Sequence, residues 1–156
     1  MPEPLIQGVA TRVMSLRDGT KKMSKSDESD ASRINMNDSP DVIIKKLKKS
    51  KTDSIAEITY DPVNRPEVSN LINIYCALTK DSKEAIINKY TGQGFAKFKL
   101  DLADIIIEKL SPINQEYQKI IQDKAYIKNV LFAGAKKARL TAQKTCKAVS
   151  KEFGLL

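Results

Sequence analysis

A chain of 156 residues is long enough for one domain with a sizeable core, and 41% hydrophobic with 29% charged residues excludes wholesale disorder. It has no histidine, which removes the usual general base near neutral pH, and with only two cysteines a structural zinc site is excluded as well. No apolar run approaches the ~18 residues of a membrane span, and the opening MPEPLIQGVA lacks the basic and long apolar regions of a secretory signal.

The formal charge of +8 is unevenly distributed. Between Lys119 and Glu152 stand nine basic and two acidic residues, so this stretch carries +7. A positive field so localised points to a polyanion, with nucleic acid as the leading partner. Cys76 and Cys146, far apart and without CxxC spacing, read as small buried or half-buried hydrophobes in a reducing compartment.

In chain order, residues 1–19 contain one strand expectation, Val13–Leu16, too short to fold without neighbours. A polar loop rich in Ser, Lys and Asp occupies 20–35, and the pattern then turns helical. Ser39, Pro40 and Asp41 read as cap, first turn and dipole partner of a helix. Its apolar face holds Val42, Ile43 and Leu47, with Lys45, Lys46, Lys48 and Lys49 projecting elsewhere; the basic run Lys45–Lys51 reads as a solvated face. A connection over Thr52–Arg65 includes an extended piece at Ile58–Tyr60. Pro66 opens a helix in which Val68, Leu71, Ile72, Tyr75 and Leu78 form a buried stripe. Asp81 and Glu84 suggest a capping box for a short helix ended by Gly92 and Gly94.

Phe95, Phe98, Leu102, Ile106 and Leu110 mark the next helix, which Pro112 is expected to interrupt, with Ile113, Tyr117, Ile120 and Ile121 continuing in a new direction. Tyr75, Phe95, Phe98 and Tyr117 read as core. The last helix runs from about Lys124 to Phe153. Ile127, Leu131, Gly134, Ala138, Ala142, Thr145 and Val149 line one side, where small residues would admit a packed neighbour. Lys136, Lys137, Arg139, Lys144, Lys147 and Lys151 fall opposite. The fold class is mainly α: a helical bundle behind a short strand-and-loop leader.

The loop Lys22-Met23-Ser24-Lys25-Ser26 can be a solvated hydrophilic turn. Its setting favours more: it follows a strand end and the Gly19-Thr20 turn, and its lysines bracket Met-Ser. Lysine ammoniums, hydroxyls and backbone N–H groups suit phosphate binding, and phosphoryl or nucleotidyl transfer depends largely on neutralising developing charge.

The pentapeptide reads KMSKS, the second signature of class I aminoacyl-tRNA synthetases. With RVMSLRDGTKKMSKSD, SPDVIIKKLKKSKTDS, YDPVNRPEVSNLINIY and AYIKNVLFAGAKKARLTAQKTCKAVSKEFG, the chain resembles the C-terminal part of the bacterial tryptophanyl-tRNA synthetases from about Pro4 to Leu155. Tyrosyl enzymes are less similar after the loop.

The resemblance implies that Lys22, Met23, Ser24, Lys25 and Ser26 bind ATP, with Lys22 and Lys25 catalytic in stabilising the leaving pyrophosphate. Val13 matches the strand position whose main chain meets adenine. Mg2+ accompanies the ATP, and no metal-ligating residue is assigned in this chain. Residues 1–35 would be the edge of a catalytic domain carrying the loop, and 36–156 the helical anticodon-binding domain. Lys136, Lys137, Arg139, Gln143 and Lys144 would contact tRNA(Trp), with Tyr126 and Asn129 as further base-reading candidates. The family's other signature, HIGH or its variants, has no match here. The expectation is therefore a fragment lacking a Rossmann-like nucleotide-binding half: a cytoplasmic tryptophan–tRNA ligase when whole, inactive alone, homodimeric when complete and monomeric as this piece. Two readings from other classes are a stand-alone RNA-binding module with a vestigial loop and a helical scaffold for a protein partner.

Overall fold

A computed structural model describes residues 2–6, 8 and 10–155. Among the described residues five α-helices follow one 3-10 turn at Asp30–Ser32: α1 (Pro40–Lys48), α2 (Pro66–Thr79), α3 (Lys83–Tyr90), α4 (Gly94–Gln122) and α5 (Lys124–Glu152). No extended strand occurs among the described residues; Val13–Leu16 instead enters an isolated antiparallel bridge between Met14 and Lys22. The chain divides into two compact units, Met1–Asn114 and Gln115–Leu156.

In the first unit, prolines start α1 and α2, where a missing N–H costs nothing because first-turn donors lack helical partners. Helix α3 is capped by Ser82, whose hydroxyl accepts from the Ala85 amide; the capping role expected of Asp81 falls one residue later. Gly92 and Gly94, with φ of 75° and 71°, make the turn into α4 that a Cβ would strain.

The core gathers Leu16 and Ile58 with Ile43 and Leu47 of α1, Val68, Leu71, Ile72, Tyr75 and Cys76 of α2, Ile86 and Tyr90 of α3, and Phe98, Leu102, Ala103 and Ile106 of α4. Each fully buried Leu, Ile or Phe contributes about 1.5–3 kcal/mol. Tyr75 stacks on Phe98 at 6.0 Å, and Tyr90 meets Phe98 edge-on at 5.1 Å. The Tyr75 and Tyr90 hydroxyls are 3.1 Å apart, and the Tyr90 hydroxyl donates to Asp101. Burial and these partners push the Tyr90 phenol well above its ordinary value.

Several expectations are corrected. Lys46 is buried, not solvated: its ammonium lies 2.7 Å from Asp30 and 2.7 Å from Asp38. Val42 is exposed. Ile58–Tyr60 forms no strand, and the connection is held by Arg65 instead. That guanidinium grips Asp53 through Nε (2.8 Å) and Nη2 (2.7 Å), and donates to Ile55 and Glu57 carbonyls and the Thr59 hydroxyl. Pro112 does not interrupt the run: α4 continues from Gly94 to Gln122 with Pro112 inside it, although a proline there has no N–H to donate. Phe95 is half-buried and packs against the core.

In the second unit, α5 spans the expected residues and is capped by Asp123, whose carboxylate accepts from the Tyr126 amide. It contains no buried residue. The apolar side expected to pack is open to solvent, with Leu131 67% and Val149 50% exposed. Tyr117 and Cys146, read as core and as at least half-buried, are exposed as well. No helix among the described residues is long and apolar enough to cross a membrane.

Candidate functional site: a lysine loop on a clamped hairpin

The loop is the far arm of a short hairpin. The Ser15 amide donates to the Lys21 carbonyl at 2.8 Å, and the Met23 amide donates to the Val13 carbonyl at 3.0 Å. Between the arms, Asp18 closes the turn by accepting from the Thr20 hydroxyl at 2.6 Å and the Thr20 amide at 3.0 Å. Those bonds from Thr20, helped by Lys21, hold the Asp18 carboxyl below its ordinary value.

Alternation along the outgoing arm explains the methionine between lysines. Met23 is half-buried and packs against the core, whereas Lys22, Ser24, Lys25 and Ser26 are exposed. Beyond Met23 the Ser24 hydroxyl accepts from the Ser26 amide at 3.3 Å and lies 3.0 Å from the Ser26 hydroxyl. Among the described residues, Lys22 and Lys25 have no carboxylate within ion-pair distance. Two uncompensated ammoniums therefore face solvent beside two hydroxyls.

Both roots of this loop are fastened to helices. Upstream, the Asn70 carboxamide on α2 accepts from the Met14 amide at 2.9 Å and donates to the Met14 carbonyl at 2.9 Å. Leu16 is bonded through its amide to Ser32 and through its carbonyl to Lys51. Gly19 sits so close to the start of α2 that a Cβ would meet the Glu67 nitrogen at 2.5 Å and the Pro66 carbonyl carbon at 2.6 Å. Burial raises the Glu67 carboxyl, but bonds from Lys51 and from the Glu67 and Gly19 amides outweigh it and hold it below its ordinary value. Downstream, Arg33 donates to the Asp27 carbonyl at 2.9 Å and pairs with Asp30, which Lys46 of α1 also holds.

A cleft of about 360 Å³ opens beside the loop, lined by Met23, Ser24, Lys25, Arg33, Ile34, Asn35, Met36 and Asn37. The arrangement offers charge and hydrogen-bond donors to an anion. No cluster of three or more His, Cys, Asp or Glu suited to a metal occurs among the described residues.

The six loop-site residues expected from the sequence, Val13, Lys22, Met23, Ser24, Lys25 and Ser26, are thus neighbours. Lys136, Lys137, Arg139, Gln143 and Lys144 are all exposed on α5, within an arc of about 160° at helical spacing. Tyr126 and Asn129 are exposed on the same helix. Sequence reasoning missed Asn70, Glu67, Arg33 and Lys46. Only Asn70 left a signal, as a polar residue inside the buried stripe of α2.

Residues 2–111 match the family model for class I tRNA synthetases (W and Y). The tryptophan–tRNA ligase of Rickettsia felis is 52% identical over 156 residues, covering 100% of this chain and 47% of that protein. The ligase of Thermosynechococcus vestitus is 47% identical over 154 residues, 99% of this chain and 47% of the relative. A crystal structure of tryptophanyl-tRNA synthetase from Mycoplasma pneumoniae superposes with TM-score 0.70 at 28% identity, over 96% of this chain and 45% of the other. The Campylobacter jejuni enzyme, crystallised with ADP and tryptophan, shares the fold at TM-score 0.74 and 24% identity, over 92% and 43%. The chain spans about half the length of the curated relatives it matches. By these likenesses the chain belongs to the class I tRNA synthetases of the tryptophan and tyrosine branch.

Proposed function

We propose that this chain is the C-terminal part of a bacterial tryptophan–tRNA ligase, supplying the KMSKS loop and the anticodon-binding helices. In the first step a tryptophan carboxylate oxygen bonds to the α-phosphorus of ATP as the bond to the bridging β-phosphate oxygen breaks. Tryptophanyl-adenylate forms and pyrophosphate leaves; a ribose hydroxyl of tRNA(Trp) then bonds to the tryptophanyl carbonyl carbon as its bond to the phosphate oxygen breaks and AMP leaves. Negative charge accumulates on the departing phosphates, so Lys22 and Lys25 serve best as mobile donors that meet that charge as it develops. Ser24, Ser26 and the Met23 main chain add donors, and the Val13 main chain meets the adenine. The observation that carries this reading is the pair of exposed, uncompensated ammoniums at Lys22 and Lys25 on a hairpin fastened at both roots.

The loop's lysines are donors and cannot ligate a cation. Mg2+ would therefore enter on the ATP phosphates, where it neutralises charge. Residues 1–35 act with a preceding nucleotide-binding half and 36–156 as the tRNA-binding domain. In α5, Lys136, Lys137, Arg139 and Lys144 contact phosphates, and Gln143 reaches bases. The complete enzyme is a cytoplasmic homodimer; the segment alone is a monomer that folds but does not activate tryptophan. The 52% identity with the tryptophan–tRNA ligase of Rickettsia felis supports the choice of substrates.

The test is ATP–pyrophosphate exchange by the full-length enzyme carrying this segment. Lys25→Ala should lower kcat by at least about 100-fold while ATP affinity changes little, the signature of an interaction made mainly in the transition state. Equal losses in rate and ATP affinity would overturn the assignment.

A further inference from the structure

We propose that Asn70 is the positioning residue of the lysine loop, its carboxamide standing in for a neighbouring β-strand along the edge of the hairpin. The inference rests on the function proposed above and assigns to α2 the setting of the loop.

Met14 faces Lys22, and the bonds between the arms flank that pair, from Ser15 to Lys21 and from Met23 to Val13. In such a pair the facing residues exchange no hydrogen bonds of their own, so the Met14 N–H and C=O point to the outer edge. A lone two-armed ribbon would leave that edge unpaired and is marginal in water. Asn70 satisfies both groups at once, with 2.9 Å bonds in each direction, and is itself only 3% exposed. A carboxamide carries the same donor and acceptor as a peptide group, which is why asparagine fits there and aspartate fits half as well.

Asn70 lies within the core-facing stretch of α2, between Val68 and Leu71, both essentially buried. The main chain of Met14 is thereby fixed to a packed helix, Lys22 is fixed opposite Met14, and Lys25 follows three residues later. Lys22 and Lys25 thus take their position from α2. Displacement of α2 moves them, and loss of the clamp frees the hairpin to swing without it.

Two measurements test this. In the 156-residue chain, Asn70→Ala should speed amide hydrogen exchange at Met14 at least about tenfold, with the amides of α3 unchanged. In the full-length enzyme the same substitution should lower kcat for ATP–pyrophosphate exchange about tenfold, with KM for tryptophan within about twofold. Asn70→Asp, which keeps the acceptor for the Met14 amide and loses the donor, should fall between wild type and Asn70→Ala, and carries the test if the alanine variant does not fold. Unchanged Met14 exchange, or unchanged kcat beside a slow Lys25→Ala enzyme, overturns the positioning role. A Lys25→Ala enzyme of normal rate overturns the proposed function instead, and Met14 exchange then decides the clamp on its own.

Discussion

The Lys46 ammonium lies 2.7 Å from the Asp38 carboxylate, and both side chains are nearly withdrawn from water, at 7% and 9% exposure. Asp38 also accepts from the Asn35 amide at 2.9 Å, so this pair ties the stretch after the loop to α1. Removing the cation would strand a desolvated carboxylate. Lys46→Met should therefore cost about 3 kcal/mol of stability, read as a lower urea midpoint. Asp30→Asn removes the exposed partner of the same ammonium and should shift the midpoint little.

The Arg65–Asp53 pair predicts an acid transition. Side-chain bonds from Arg65 are the main reason the Asp53 carboxyl lies below its ordinary value of 3.8, with burial opposing them and the Ile55 amide adding to them. A carboxyl lowered in the folded state contributes stability that is complete above its unfolded value. That contribution is lost as pH falls through the lower folded value. Urea midpoints of wild type and Asp53→Asn should thus differ by a constant amount from neutral pH down to about pH 5, and converge below about pH 4.

Gly19 is needed for space, not for an unusual backbone angle. A methyl group there would press on main-chain atoms of Pro66 and Glu67, which cannot rotate away. Gly19→Ala should destabilise the chain by about 1–3 kcal/mol and raise exchange at the Lys21 and Met23 amides. Wild-type thermal stability in this variant would show that the hairpin turn does not rest on α2.

On α5, replacing Lys136, Lys137 and Lys144 together by alanine should weaken binding of tRNA(Trp) by the full-length enzyme. It should also flatten the plot of log K against log salt by about 2, since every phosphate left unneutralised takes roughly 0.7–0.9 off the slope. A weakened affinity with the slope unaltered would assign these lysines a role other than phosphate binding.

Helix starts were legible because their signals are local: Pro40 and Pro66 open helices where a proline belongs, although the cap of α3 is Ser82 and not the expected Asp81. The KMSKS loop was legible for the same reason. Lys46 and Lys99 were not, because their burial depends on partners distant in sequence. The Lys99 ammonium donates to the Ser50 carbonyl 49 positions away, and burial without a carboxylate lowers its pKa. Asn70 and Met14 are separated by 56 positions. Periodicity failed on α5 for a different reason: an apolar stripe states what a helix can bury, not what it does bury, and this stripe is in water.

The last main-chain bond of the hairpin is at Met23, only two residues before Lys25. Two residues and a lysine side chain confine that ammonium to a sphere of radius about 13 Å, which corresponds to an effective concentration on the order of 0.2 M. A phosphate within that sphere meets the charge at that local abundance, and one more than a Debye length beyond it is largely screened from it. On the function proposed above, the shortness of the tether would act as a ruler, favouring a triphosphate seated at the correct depth over one that is not.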